Sequence, residues 1–259
     1  MYALAVFDRA QRTLTLARDA FGEKPLFVAA SPDRVVFGST MDAVLALLGT
    51  QAPPINPAWI EAFTVLGFAP APLTIRHGVE KLAAGERRTF VLADGSWRRT
   101  HDGAVALLYR SHGTRHFDAM EFEERLTTSL ERRLRADVPL ALLLSGGIDS
   151  AYVAALARRR LGRDLLAVTI HDRVDSSEEV DRARRTCEAL GIDHRVVRMP
   201  DRPLRDVVAA SLTAMDEPIG DPAFPMLVEL FAHVPPELRV VLTGCSVPSM
   251  RRMLGILSE

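Results

Sequence analysis

The chain has 259 residues, 48% hydrophobic and 25% charged, and no run approaches the ~18 apolar residues of a membrane span or forms a signal-peptide core. The formal net charge of −1 gives no global electrostatic reason to expect a nucleic-acid or membrane partner. The two cysteines, Cys187 and Cys245, are too few for a disulfide framework or a zinc site of cysteines alone, which favours a reducing, cytoplasmic setting.

The first hundred residues contain short apolar runs separated by polar turns, which predicts an antiparallel meander. Two helices are expected over 41–48 and 57–66, the second capped by Asn56 and started by Pro57. A further strand ends at the turn signal Asp94-Gly95. We therefore expect a partial α+β antiparallel domain over residues 1–100, followed by a linker over 101–117.

The pattern changes after residue 117. A charged amphipathic helix precedes a wholly apolar run over 138–144, which is typical of a strand buried on both faces. Helices and strands then alternate, with helices expected over 149–160, 177–190, 203–214 and 224–233 and strands over 165–170, 194–198 and 238–242. This alternation predicts an α/β domain with a parallel, doubly wound sheet over residues 118–259.

Residues 145–150, Ser-Gly-Gly-Ile-Asp-Ser, join the most apolar strand to a helix. Ligands of parallel sheets bind outside the carboxyl ends of strands, where this loop falls. The N–H groups of Gly146 and Gly147 can approach an anion closely, the helix start adds free N–H groups, and Ser145 and Ser150 add hydroxyls. Asp149 would repel a phosphate unless a cation intervened, so it is interpreted as a Mg²⁺ ligand.

Other interpretations of this loop are weaker. It contains no lysine, so it is not a Walker A loop, and no Gly-x-Gly-x-x-Gly follows a strand. The alternative is a tight turn in which Asp149 only caps the helix.

Residues 142–151, Leu-Leu-Leu-Ser-Gly-Gly-Ile-Asp-Ser-Ala, resemble the pyrophosphate loop of the asparagine synthetase family, within the PP-loop ATP pyrophosphatases. Segments in the order and spacing of that family follow at 166–170, 177–179, 191–194, 216–222 and 240–244. The first part is similar to the second half of a class II glutamine amidotransferase domain, at 2–7 and 17–26. Residues 67–75 resemble the segment just before the synthetase domain.

The resemblance implies an amide-forming ligase. Glutamine supplies ammonia, Mg-ATP adenylates aspartate with release of pyrophosphate, and ammonia displaces AMP to give asparagine. It implies ATP and Mg²⁺ as cofactors, small-molecule substrates, no nucleic-acid or membrane partner and, in full-length members, a homodimer. By position, it implies that Ser145, Gly146, Gly147, Asp149 and Ser150 hold pyrophosphate and Mg²⁺. Leu144 and Val168 would flank adenine, and Thr243 and Gly244 would close around the nucleotide. No catalytic residue is assigned.

Several of these residues also have plain structural interpretations. Leu144 and Val168 would be sheet core in any parallel sheet, and Thr243-Gly244 could be a strand end. The loop over 216–221, with three carboxylates, is left open between a role near the substrate pocket and a solvated turn. Glu178 and Glu179 are expected to complement a helix dipole. We expect neighbouring groups to hydrogen-bond His194 at the start of a strand, and Cys187 to lie in the core.

The sequence departs from the family pattern at both ends. No cysteine occurs in the first hundred residues, so the family's nucleophile is not visible and no glutaminase activity is expected. After Gly244, Cys245 and Ser246 stand where the family has an acidic stretch, so adenylation is expected to be slow or absent. We expect a chain truncated at both ends by gene fragmentation or a reading-frame change. The rival interpretations are a β-lactam synthetase or peptide cyclase, a tRNA-modifying PP-loop enzyme, and an inactive fragment that at most binds ATP.

Overall fold

The computed structural model describes residues 1–49, 53–104, 118–136, 139–171, 177–198, 202–221, 223–233 and 240–243. The chain forms two compact units. Unit 1 comprises Met1–Ser111 with Leu212–Pro222, and unit 2 comprises His112–Ser211 with Ala223–Glu259. Among the described helices, none is long and apolar enough to cross a membrane.

In its described residues, unit 1 contains two antiparallel sheets and the helices α1 and α2. In chain order the elements are β1 (Ala3–Asp8), β2 (Thr13–Arg18), β3 (Phe27–Ala30), β4 (Val35–Gly38), α1 (Met41–Leu48), α2 (Pro57–Leu66), β5 (Glu80–Lys81), β6 (Glu86–Ala93) and β7 (Ser96–Ala104). One sheet has the order β1-β2-β6-β7 and the other β4-β3-β5. The expected antiparallel α+β architecture is confirmed.

Two local features of unit 1 have the structure that the sequence predicts. Asn56 accepts a hydrogen bond from the Ala58 N–H at 3.1 Å and caps α2. Asp94 and Gly95 both have positive φ and close the β6–β7 hairpin. β7 continues through Ala104, so four residues of the expected linker are strand, because their backbone pairs with the start of β6. Residues 105–117, the rest of that linker, lie outside the described ranges.

Unit 2 is built around a parallel sheet. In chain order the elements are α3 (Ala119–Arg133), β8 (Leu140–Leu143), α4 (Ile148–Ala155), β9 (Leu166–His171), α5 (Ser177–Leu190), β10 (Asp193–Arg198), α6 (Leu204–Thr213), α7 (Ala223–His233) and β11 (Val240–Thr243). The strand order is β10-β9-β8-β11, and every pairing is parallel. The last two residues of α6 are assigned to unit 1.

Both faces of this sheet are covered, as the apolar β8 sequence requires. Leu142 packs with Ala154 of α4 and Ala183 of α5 on one face. Ala141 belongs to the cluster on the other face, which includes Leu227 of α7. Successive strand residues point to opposite faces, so a strand between two helical layers must be apolar throughout. The prediction of a doubly wound α/β sheet is confirmed.

The strand order places a switch point at β8. The chain runs from β8 to β9 and β10 on one side, whereas β11 pairs on the other side. Connections therefore diverge from the carboxyl end of β8 and leave a crevice there, which is where open α/β sheets bind ligands. The helix expected over 149–160 is α-helical to Ala155 and continues as a five-residue π-helical turn, Leu156–Arg160.

Candidate functional site

The glycine loop, residues 145–147, connects β8 to α4 at this switch point. Gly146 has φ of 72°, in the left-handed region that favours glycine. Gly147 is the N-cap residue of α4, and none of the described side chains caps this helix. The first-turn N–H groups therefore keep donor capacity at the positive end of the helix dipole, an arrangement suited to phosphate.

Asp149 is exposed in the first turn of α4 and is not the cap, so the turn-with-cap alternative is not supported. Among the described residues, no group of three His, Cys, Asp or Glu side chains could hold a metal ion. Mg²⁺ commonly takes one or two carboxylates and completes its shell with phosphate oxygens and water. A single exposed carboxylate beside a phosphate loop therefore fits this ion, and the assignment to Asp149 stays a prediction.

The two loop serines differ in exposure. Ser150 is buried and donates to the Gly147 carbonyl at 3.1 Å, and this hydrogen bond holds the loop conformation. Ser145 is exposed, and its Oγ lies 3.3 Å from the Ser150 Oγ. The hydroxyl of Ser145 is thus accessible to a ligand, whereas that of Ser150 serves the loop itself. The contacts of both serines with pyrophosphate stay predictions.

A hydrogen-bond chain that the sequence analysis missed supports the loop. The Thr169 Oγ1 donates to the Leu144 carbonyl at 2.7 Å and lies 2.8 Å from the His194 Nε2. A hydroxyl has one proton, so His194 must be the donor to Thr169 through Nε2–H. Burial, and then the nearby Arg184, lower the pKa of His194, which favours the neutral imidazole. The sequence feature that could have indicated this hydrogen-bond chain is Thr169, a polar residue within the otherwise apolar run 165–170.

The residues predicted to flank adenine are core residues at the level of the carboxyl end of β8. Leu144 and Val168 are both buried, and the Leu144 N–H donates to the Val168 carbonyl at 2.9 Å. Thr243 ends β11 and pairs with Leu143, so it lies at the same edge of the sheet as the glycine loop. Gly244, the other residue predicted to close around the nucleotide, lies outside the described ranges, as does Cys245.

An open groove of about 640 Å³ runs from the glycine loop between α4 and α5. Besides Gly146 and Gly147, its lining includes Arg159, Arg182 and Arg185. Arg182 also forms an (i, i+4) ion pair with Glu178 at 3.1 Å. This is one of the two carboxylates that were expected to complement the helix dipole. The cationic lining makes the surroundings of the loop favourable for an anion.

The acidic loop over 216–221 is not simply a solvated turn, and its expected role near the substrate pocket stays a prediction. Asp216 accepts from the Met41 N–H at 2.5 Å, and Glu217 accepts from the Ile75 N–H at 2.6 Å and from Lys81 at 2.5 Å. Two of its carboxylates are therefore engaged by groups of unit 1. The sequence could not indicate this, because the partners lie more than a hundred residues upstream.

The remaining expectations concern side chains away from the loop. Cys187 is buried in the core of unit 2, as predicted, and burial raises the pKa of its thiol to about 11. His194 lies in the second position of β10, where Thr169 satisfies it. Cys187 is therefore a packing residue with no nucleophilic character.

Two family models match this chain. Residues 121–246 match the family model described as asparagine synthase, and residues 1–100 match the glutamine amidotransferase domain. A solved structure, the NH3-dependent NAD synthetase from Campylobacter jejuni subsp. jejuni NCTC 11168, is 18% identical with a TM-score of 0.37. That match covers 55% of this chain and 62% of that one.

Two curated relatives match nearly the whole chain. A protein of Mycobacterium tuberculosis (strain ATCC 25618 / H37Rv), provisionally named asparagine synthetase [glutamine-hydrolyzing], is 31% identical over 252 residues. Asparagine synthetase [glutamine-hydrolyzing] 1 of Bacillus subtilis (strain 168) is 24% identical over 253 residues. Each match covers 94% of this chain and 38% of the relative, so the chain spans well under half of their length. By these matches, the chain carries a segment similar to the glutamine amidotransferase domain ahead of a segment similar to asparagine synthase.

Proposed function

We propose that this chain contributes the nucleotide site of an amide-forming ligase that activates a carboxylate with Mg-ATP. The observation that carries the proposal is the start of helix α4 at the sheet's switch point. It follows a glycine with left-handed backbone geometry, and no side chain in the described part of the chain caps it. Such a helix start binds phosphate through N–H groups and its dipole. The family relationship supplies the reaction class.

In the proposed reaction, a substrate carboxylate oxygen attacks the α-phosphorus of ATP, and the bond to pyrophosphate breaks. Ammonia then attacks the acyl carbon of the adenylate, AMP leaves, and the amide forms. The N–H groups of Gly146 and Gly147 and the hydroxyl of Ser145 would hold the departing pyrophosphate. Mg²⁺ at Asp149 would neutralise charge that develops on the phosphates. Leu144 and Val168 would flank adenine, and Thr243 with Gly244 would close over the nucleotide.

Aspartate is the proposed acceptor, with asparagine as product and glutamine or ammonia as nitrogen source. The proposal includes a cytoplasmic location, where ATP and amino acids are available. A β-lactam synthetase or peptide cyclase would use the same loop with a different carboxylate. An inactive fragment would bind ATP without turnover.

Two measurements separate these possibilities. Titration calorimetry tests whether the chain binds ATP in the presence of Mg²⁺, and a pyrophosphate-release assay with ammonia tests turnover with aspartate against a no-aspartate control. Binding with aspartate-dependent release supports the asparagine-forming ligase. Release that requires another carboxylate supports a related ligase, and binding without release supports the inactive fragment. No ATP binding at millimolar concentration would refute the nucleotide site.

A further inference from the structure

Residues 212–221, here called the clasp segment, lie within the range that matches asparagine synthase but fold as part of unit 1. They connect α6 to α7, two helices of the synthase range. We infer that the amidotransferase-like unit recognises this segment through a dedicated surface and that Lys81 and Glu217 are its positioning residues. The inference goes beyond the nucleotide site, and its consequence for catalysis rests on the proposed function.

The recognition surface of unit 1 combines one cation with three backbone groups. The Glu217 carboxylate uses both oxygens, one for the Ile75 N–H at 2.6 Å and the other for the Lys81 ammonium at 2.5 Å. The Asp216 carboxylate accepts from the Met41 N–H at 2.5 Å, at the start of α1. Carboxylates favour such positions because helix starts present free N–H groups.

A backbone contact completes the clasp. The Gly220 N–H donates to the Gly67 carbonyl at 2.7 Å. A Cβ built at Gly220 would lie 3.0 Å from the Gly67 Cα, so a larger residue would push the segment away. Gly67 has φ of 74° as the residue that ends α2. Four hydrogen bonds and a glycine-to-glycine approach therefore hold the five residues from Asp216 to Gly220.

The ion pair is sheltered. The side chain of Lys81 is 19% exposed and that of Glu217 is 11% exposed. Breaking such a pair by removing one partner leaves a charge with poor solvation, so both groups are expected to matter. Lys81 is also one of only two lysines among 32 basic residues, the other being the exposed Lys24.

The clasp acts on the synthase range through chain connectivity. α7 begins at Ala223, two residues after the clasp segment ends at Asp221, and its Leu227 packs into the sheet core with Ala141 and Val168. Ala141 lies two residues before the end of β8, and Val168 pairs with Leu143, the last residue of β8, next to the glycine loop of the proposed nucleotide site. Release of the clasp would therefore free the chain immediately before a helix that supports those strands.

The presence of only two lysines allows a direct test by amine labelling with acetic anhydride and mass spectrometry. The Lys81 amine must leave the Glu217 carboxylate before it reacts, so we expect it to label at least about tenfold more slowly than Lys24. Glu217→Gln removes the charge, and Gly220→Val disrupts the backbone approach, so each should bring the two rates within about threefold. Glu61→Gln, the same chemical change at an exposed site of α2, should leave the ratio unchanged.

Hydrogen exchange of the Leu16 amide, in the paired strand β2, reports whether unit 1 stays folded in each variant. Protected Leu16 with fast Lys81 labelling in both variants supports the clasp. Equal labelling of the two lysines in the parent chain, or continued protection of Lys81 in both folded variants, overturns it. The result is independent of nucleotide chemistry, so a protected Lys81 in a chain that does not bind ATP would refute the proposed function and leave the clasp standing.

Discussion

Gly146 lies directly against the backbone of Glu179, so a Cβ built on it would come within 2.4 Å of the Glu179 carbonyl oxygen. The glycine loop and the first turn of α5 are therefore in contact at a distance that only glycine permits. The positive φ of Gly146 adds a second requirement for the same residue type. The loop conformation thus depends on tertiary packing as well as on local backbone freedom.

Replacement of Gly146 should disturb this contact. We expect Gly146→Ala to lower the free energy of unfolding by about 1–3 kcal/mol and to weaken ATP binding, because the loop or α5 must move. Gly147→Ala is the matched control, since its Cβ would meet only the Ser145 Oγ at 3.4 Å. Urea unfolding and calorimetric ATP titration measure both effects. Equal losses in the two variants would show that the Gly146 contact has no special role.

Asp149 should act through Mg²⁺. We expect Asp149→Asn to reduce ATP affinity about tenfold or more with Mg²⁺ present, and to change it little with EDTA, because the amide is a poorer Mg²⁺ ligand than a carboxylate. Asp164→Asn makes the same chemical change at an exposed turn before β9 and should bind ATP like the parent. Calorimetry on all three proteins decides the matter. An Asp149→Asn variant with unchanged Mg-ATP affinity would remove the metal assignment.

Asp19 should make unit 1 sensitive to acid. Burial alone would raise its pKa, but N–H groups of Tyr2, Phe21, Glu23 and Lys24 donate to its carboxylate and lower the pKa to about 2. The ordinary value is 3.8, so the stabilisation is present above about pH 4 and is lost as the pH falls toward 2.

The Asp19→Asn variant isolates this contribution. Its amide nitrogen cannot accept hydrogen bonds, so we expect a loss of about 2 kcal/mol at pH 6, which largely disappears near pH 2. Chemical unfolding of parent and variant at several pH values gives the difference directly. Glu61→Gln, at an exposed position, should follow the parent curve. A difference that stays constant from pH 6 to pH 2 would contradict the low pKa of Asp19.

The hydrogen bond between Thr169 and His194 should make the stability of the protein depend on pH in a second pH range. The lowered pKa of His194 means that the folded state favours the neutral ring, so stability should decline as pH falls below about 6.5. Thr169→Val removes the donor to the Leu144 carbonyl and the acceptor for His194, which should cost about 1–3 kcal/mol.

Thr169→Ser retains the hydroxyl and serves as the control for this pair. We expect it to keep most of the stability that the valine variant loses, with the missing methyl group as its main cost. Unfolding free energies measured between pH 5 and pH 8 test both statements. Similar behaviour of the serine and valine variants would mean that the hydroxyl is not the supporting group.

Features with a local cause were predictable from the sequence. The start of α2 at Pro57 and the β6–β7 turn at Asp94-Gly95 depend on neighbouring residues, and both are confirmed. The parallel sheet was predictable because a strand covered on two faces must be apolar throughout. The π-helical end of α4 and the full length of β7 could not be predicted from the sequence. Both depend on packing and on pairing partners elsewhere in the chain, which leave no periodic pattern in the local sequence.

The sequence by itself determined the sheet, the glycine loop and the position of Asp149, because each follows from residue type and close spacing. Only the tertiary structure decided what Asp216 and Glu217 contact. Their partners Met41, Ile75 and Lys81 lie 175, 142 and 136 residues away along the chain. A hydrogen bond over that separation depends on where the fold brings two chain segments together, and it leaves no periodic trace in either one.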